Sequence, residues 1–214
     1  MVVLDLYLAR HGQSYGNLPI NGVEPAHLVP LTERPPGLET GRMEDDWHLT
    51  PLGQKQAELL GERLSATQFD AIYCSPLERA HATAKAIAIR QAQPAGLKVS
   101  REFLEVYDCG GETPAEWHAR GLRAARALRG NHPPGARVLA VAHGGFNTFL
   151  LNALLGLPGP EYPFRFRHNN TGLTRIVFHS DDVPQWERVR LCYLNSLHHL
   201  SPEVYEETYE KGNF

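Results

Sequence analysis

Cysteine is scarce in this 214-residue chain. Cys74, Cys109 and Cys192 are odd in number, far apart and without CxxC spacing. That argues against a disulfide framework or a thiolate zinc site, and a reducing cytoplasm is the simplest compartment. A basic excess is also missing. Lys plus Arg total 21 against 24 Asp plus Glu, a formal charge of −3. A nucleic-acid partner is therefore not expected. No apolar run is long enough to span a bilayer. The longest, around residues 138–142 and 149–157, are short and interrupted, so no membrane partner is expected either. Residues 1–5 lack the cationic-then-apolar order of a signal peptide. What remains is ample. Hydrophobic residues make up 42% of the chain, and the length suits one domain over residues 1–214. The chain also holds 11 histidines, 19 glycines and 16 prolines.

The patterning alternates short apolar runs with amphipathic ones. Residues 4–9 read as a buried strand that stops at Arg10-His11-Gly12. Residues 18–48 carry Pro19, Pro25, Pro30, Pro35 and Pro36 with no sustained period, and read as a lid or substrate-wall insertion. This stretch holds six acidic and two basic side chains, so it more than accounts for the net negative charge. Thr50 and Pro51 open a helix to about residue 65. Residues 69–74 form the next strand. Ser75, Pro76 and Glu78 suggest a capping box opening a helix to residue 92. A weaker strand covers 97–99. Thr113, Pro114 and Glu116 repeat the capping signal for a helix ending at Gly130. Residues 137–142 make a strong buried strand, followed at His143-Gly144-Gly145 by a helix to Leu155. Residues 172–178 and 186–194 are late strands, read as an edge hairpin. Residues 201–214 are a polar, acidic tail. The order β-α-β-α-β-α-β-α-β-β predicts a three-layer α/β/α open sheet, mostly parallel.

Reactive residues follow the strands. Arg10 and His11 follow the first, Arg79 lies in the helical turn after the second, Glu105 follows the third and His143 the fourth. Ligands of open α/β sheets bind at that carboxyl rim, where helix N-termini favour anions. Such a set suits a phosphate ester. An imidazole can attack phosphorus, guanidinium groups can hold the equatorial oxygens, and a carboxylic acid can protonate the leaving oxygen. The positive charge comes from side chains, so neither a metal nor a cofactor is called for.

These residues carry a resemblance to the histidine phosphatase superfamily, which includes the cofactor-dependent phosphoglycerate mutases. It rests on Leu8-Ala9-Arg10-His11-Gly12-Gln13-Ser14 with Asn17, and on Leu49-Thr50-Pro51-Leu52-Gly53-Gln54. Tyr73-Cys74-Ser75-Pro76-Leu77-Glu78-Arg79-Ala80 with Thr83, Leu104-Glu105 and Val141-Ala142-His143-Gly144-Gly145 add to it. Tyr193-Leu194-Asn195 with His199-Leu200 is similar to the family's closing segment. The resemblance implies the phosphoglycerate mutase-like fold. It implies His11 as the nucleophile that becomes phosphohistidine and Glu105 as the proton donor. It implies a phosphate pocket of Arg10, Asn17, Arg79 and His143, with a backbone N–H from Gly144. Asp108 and Glu112 stay open as alternative acids. The leading activity is metal-independent hydrolysis of a small-molecule phosphate monoester. A phosphoglycerate mutase and a non-catalytic phosphate-recognition module are the alternatives. Gln13-Ser14 is mutase-like, but residues 106–111 lack the Glu-Arg-(His/Arg)-Tyr-Gly pattern of mutases.

Other groups read as ordinary. Arg120, Arg123, Arg126 and Arg129, three residues apart, read as a solvated helix face. His168 falls in a loop, and His198-His199 lacks the spacing for one-face metal binding.

Overall fold

Strand β1 (Val2–Arg10) is the centre of the molecule, and its residues alternate between two cores. Leu4, Leu6 and Leu8 face one core; Tyr7 and Ala9 face the other. A strand buried on both sides reads as a continuous apolar run, which is why no polar alternation shows in its sequence. The computed structural model describes residues 1–17, 48–93, 95–105, 112–130, 132–159 and 165–205. The proposed lid at 18–48, all but His48, lies outside the described residues. So do Asp108 and Cys109, and residues 206–214 of the tail.

The other elements are α1 (Pro51–Leu64), β2 (Ala71–Cys74), α2 (Glu78–Ala88) and β3 (Leu97–Val99). They are followed by α3 (Pro114–Gly130), β4 (Ala136–Ala142), α4 (Gly144–Leu154), β5 (Leu173–His179) and β6 (Val189–Ser196). The six-stranded sheet runs β3-β2-β4-β1-β5-β6. Helices α1 and α2 bury Leu60, Leu64, Ala80, Ala84 and Ile87 against one face. Helices α3 and α4 bury Ala124, Leu128, Phe146 and Leu150 against the other. The result is the three-layer open α/β sheet expected from the element order.

The sheet is mostly parallel, as expected: β3, β2, β4 and β1 are parallel, while β5 pairs antiparallel with β1 and β6 antiparallel with β5. Three expectations need correction. First, the late hairpin is not wholly at the edge. β5 is an inner strand because Leu173, Ile176 and Phe178 complete the two cores, and β6 alone is the edge. Second, α2 begins at Glu78, with Leu77 at its N-cap and no side-chain cap. The Ser75 hydroxyl instead accepts the N–H of Leu77 at 3.3 Å, so Ser75-Pro76 shapes a turn that delays the helix. The capping signals at Thr50 and at Thr113 with Glu116 are realised. Third, Arg120 does not share the solvated face of α3, on which Arg123, Arg126 and Arg129 are exposed as expected. A spacing of three drifts about 60° per step around a helix of 3.6 residues per turn. Arg120 is buried, Arg123 pairs with Glu102, and Arg129 lies over the Phe178 ring.

Among the described residues, no helix is long and apolar enough to cross a membrane.

Candidate active site

The ends of β1 and β4 lie side by side, with Arg10 in register with Ala142. The next residue of each strand is a histidine. His11 donates its N–H to the Ala142 carbonyl at 3.0 Å, which holds the chain past the sheet. The His11 and His143 rings meet with centroids 5.1 Å apart. Both histidines are buried, as are Arg10 and Arg79. Arg79 sits second in α2, where a cation opposes the helix dipole and an anionic partner relieves it.

The His11 ring has a defined orientation. Its Nδ1 lies 2.6 Å from the Gly12 carbonyl oxygen. A carbonyl only accepts, so Nδ1 carries the proton and Nε2 carries the lone pair. Burial, then the Arg79 and Arg10 charges, push the His11 pKa well below its usual value. Burial and the same arginines push His143 down as well. Both rings are thus neutral at neutral pH. Burial and the Arg79 charge lower Arg10 to about 10, against the pull of Glu105, so the guanidinium stays charged.

Several buried polar groups around the site lack a partner among the described residues. They include both ring nitrogens of His143, the Arg10 Nε and the Gln13 Nε2. Buried polar groups are nearly always hydrogen-bonded, so such a cluster of exceptions marks room for a polar ligand. Among the described residues no cluster of three or more His, Cys, Asp or Glu is placed to hold a metal ion. Cys74, buried below the rim, has its thiol pushed up to about 11 by burial, so it is an unreactive strand residue.

The loop after His11 is held from three sides. The Gly12 N–H donates to Thr83 Oγ1 on α2 at 3.0 Å. The Gln13 N–H donates to Gln56 Oε1 on α1 at 2.8 Å, and the Gln13 carbonyl accepts the Thr50 N–H at 2.9 Å. Gly12 and Gly53 permit this contact. A Cβ on Gly53 would lie 1.8 Å from the Gln13 carbonyl oxygen, and one on Gly12 would lie 2.4 Å from the Gly53 oxygen. Backbone cannot yield as a side-chain tip can. Gly53→Ala is expected to cost about 1–3 kcal/mol in a urea melt. It should also lower kcat, because it displaces the loop that carries His11. Wild-type stability in this variant would contradict the packing described.

Asn17 ends a short 3-10 turn, and its Oδ1 is crowded. It accepts the Ser14 N–H at 3.0 Å, the Ser14 hydroxyl at 3.2 Å and Asn170 Nδ2 at 3.2 Å. The Asn17 Nδ2 is therefore the end left to donate elsewhere. Gly144 packs against Arg10, whose Nε would lie 3.4 Å from an added Cβ. The next two N–H groups of α4 are taken: Gly145 and Phe146 donate to the two oxygens of Glu105 at 3.1 and 2.8 Å. Glu112 is engaged elsewhere, in a 2.6 Å ion pair with Arg120.

The structure adds residues that periodicity does not find. Residues 168–171 precede β5 and are all buried. His168 is in a loop, as expected, but its carbonyl accepts Arg10 Nη1 at 2.8 Å. Asn170 Nδ2 donates to the His11 carbonyl at 3.0 Å. Thr171 adopts a φ of 55°, a costly angle for a β-branched residue. Its N–H meets the carbonyls of both Arg10 and His11 at 3.2 Å. His199 braces this turn through Thr171 Oγ1 at 3.0 Å. The only sequence signal was an Asn-Asn pair placed directly before an apolar strand.

Cationic and imidazole groups gather at the carboxyl rim of an open α/β sheet, where ligands of such sheets bind, an arrangement able to receive an anion. The family "Histidine phosphatase superfamily (branch 1)" matches residues 6–106 and 89–191. The chain belongs to this superfamily. "Probable phosphoglycerate mutase GpmB" of Yersinia enterocolitica is 28% identical over 210 residues, 82% of this chain and 86% of that one. "Putative phosphoserine phosphatase 2" of Hydrogenobacter thermophilus is 26% identical over 224 residues, 91% of this chain and 96% of that one. A phosphoserine phosphatase mutant from Entamoeba histolytica, solved with phosphoserine, shares the fold. It has a TM-score of 0.65 at 21% identity, over 92% of this chain and all of that one.

Proposed function

We propose that this chain is a phosphomonoester hydrolase acting through a phosphohistidine at His11. The observation that carries this is the His11 ring. It is neutral, pinned through Nδ1 to a carbonyl, and offers Nε2 beside two cations and the unpartnered His143 ring. In the first step Nε2 attacks phosphorus, an N–P bond forms and the bond to the leaving oxygen breaks. Arg10, Arg79, the Asn17 Nδ2, His143 and the α4 N-terminus at Gly144 hold the three equatorial oxygens. Glu105 gives its proton to the leaving oxygen. In the second step Glu105 takes a proton from water, the water oxygen bonds to phosphorus and the N–P bond breaks. Inorganic phosphate leaves and His11 is restored.

Glu105 is favoured over Glu112 as the acid because Arg120 already engages Glu112. The phosphatase named among the relatives supports hydrolysis, and the mutase named there supports transfer. The residues after Glu105 lack the mutase pattern, which favours water as acceptor. The substrate is a small phosphate monoester, and free thiols at Cys74 and Cys192 suit a reducing cytoplasm.

The test is release of inorganic phosphate from phenyl phosphate in excess chelator. Turnover undiminished by chelator is expected. Interconversion of monophosphoglycerates after priming with bisphosphoglycerate, faster than hydrolysis, would assign a mutase. Binding of phosphate esters without turnover would assign a recognition module.

A further inference from the structure

We propose that Arg120 on α3 is a positioning residue that sets the place of the proton donor Glu105. The proposal rests on the hydrolase reading with Glu105 as acid. Arg120 lies 16 residues from Leu104 in sequence, yet it is buried to 4% exposure and all of its planar fork is used. Nη1 donates to the Leu104 carbonyl at 2.5 Å and to the Glu102 carbonyl at 3.3 Å. Nε and Nη2 grip the Glu112 carboxylate at 3.1, 3.2 and 2.6 Å. One guanidinium thus ties the chain before residues 106–111 to the chain after them.

The same group reaches the other side of Glu105. Its carbon lies 4.8 Å from the centre of the Phe146 ring. Phe146 donates its N–H to Glu105 Oε1 at 2.8 Å. The backbone that presents Glu105 and the helix terminus that receives its carboxylate therefore share one buried cation. This anchoring has a purpose. Leu104 and Glu105 lie in irregular chain, beyond a 3-10 turn at Arg101–Phe103, so no sheet or helix ladder fixes them. Arginine suits the task and lysine does not, because only a planar five-donor fork serves a carboxylate and two carbonyls at once. The nearby Arg123–Glu102 pair is exposed and makes a control, since such pairs contribute little.

The experiment compares kcat/KM for phenyl phosphate and 4-nitrophenyl phosphate. Phenolate is a strong base whose conjugate acid has a pKa of about 10, as in tyrosine, so its departure needs a proton. Nitrophenolate leaves with far less help. Well-placed general acids contribute about 10²–10⁴-fold. Arg120→Lys keeps the charge and loses the fork. It is expected to lower kcat/KM for phenyl phosphate about tenfold or more, and for 4-nitrophenyl phosphate by less than about threefold. Glu112→Gln, which leaves Arg120 in place, should shift the ratio the same way by less. Arg123→Ala should leave both rates unchanged. In an Glu105→Gln background, Arg120→Lys should no longer alter the ratio.

An equal loss on both substrates, or no loss, in Arg120→Lys and Glu112→Gln overturns the proposal. If Arg120→Lys fails to fold, Glu112→Gln and the double variants decide. Glu105→Gln itself separates the two claims. If it leaves the substrate ratio unchanged, the acid assignment fails. If it shifts the ratio while the Arg120 and Glu112 variants do not, only the positioning claim fails.

Discussion

His11→Ala is expected to lower kcat for aryl phosphate hydrolysis by about four orders of magnitude or more, the scale on which removed nucleophiles act. Alanine has no lone pair to form the N–P bond. The loss should come without unfolding, because the imidazole makes only one contact to the loop, to the Gly12 carbonyl, and the rest of its anchors are independent of the ring. The His11 backbone N–H, not its ring, binds Ala142, while Thr83, Gln56 and Thr50 hold Gly12 and Gln13. Arg10, Arg79 and His143 remain to bind phosphate, so substrate affinity should survive. Two measurements check this. Quenched turnover of labelled substrate should leave an acid-labile, alkali-stable phosphoprotein in the wild type and none in His11→Ala. Isothermal titration should show substrate still bound by the variant. Comparable turnover in both proteins would exclude His11 as nucleophile and turn attention to His143, 5.1 Å away ring to ring.

The nucleophile was legible because its environment is local. Arg10-His11-Gly12 ends a run that could only be a buried strand, and His143-Gly144-Gly145 ends another. Two parallel strands ending together bring both histidines to one rim, whatever the details elsewhere. The helix starts at Thr50 and Thr113 were legible for the same reason, since a cap acts within four residues. Ser75 misled because its hydroxyl has two local uses, a helix cap or a turn, and the sequence pattern fits both. The supports of the site were hidden for a different reason. Asn170 reaches His11 across 159 positions, and Arg120 serves Leu104 through a packing between elements. No periodicity encodes such contacts. Arg120 even looked like a surface residue, because its spacing matched three other arginines. What distinguished it was the burial of its own face, which lines up with Ala124 and Leu128 on the inner side of α3. The substrate wall proposed at residues 18–48 falls almost wholly outside the described residues; its flanks are joined where the Tyr15 N–H donates to the His48 carbonyl at 3.1 Å.

Stability is expected to fall steeply as pH drops below about 6.5. Four histidines, His11, His143, His168 and His199, are held below their usual value, chiefly by burial. His168 and His199 are lowered to about 3. In the unfolded chain each returns to about 6.5. Between those values the unfolded state binds protons that the folded state cannot, so acid favours unfolding. The stability is fully present above about 6.5 and is lost progressively below it, down to the folded values. Each fully buried group contributes about 1.4 kcal/mol per pH unit in that window. His199 is only partly enclosed and should contribute less. The slopes add in the same direction, so several such groups can consume a large share of a total domain stability of about 5–15 kcal/mol. Thermal melts in chloride buffers should therefore show Tm steady from pH 8 to 7 and collapsing by pH 5. His199→Gln should flatten the slope, since it removes one titrating group. Inorganic phosphate should raise Tm more at pH 5.5 than at pH 7.5, because an anion beside His11 and His143 stabilises their charged forms. A Tm that stays level from pH 8 to 5 would mean these histidines accept protons in the folded state. Burial would then not depress their pKa values, and the pocket would gain charge as pH falls through about 6.5.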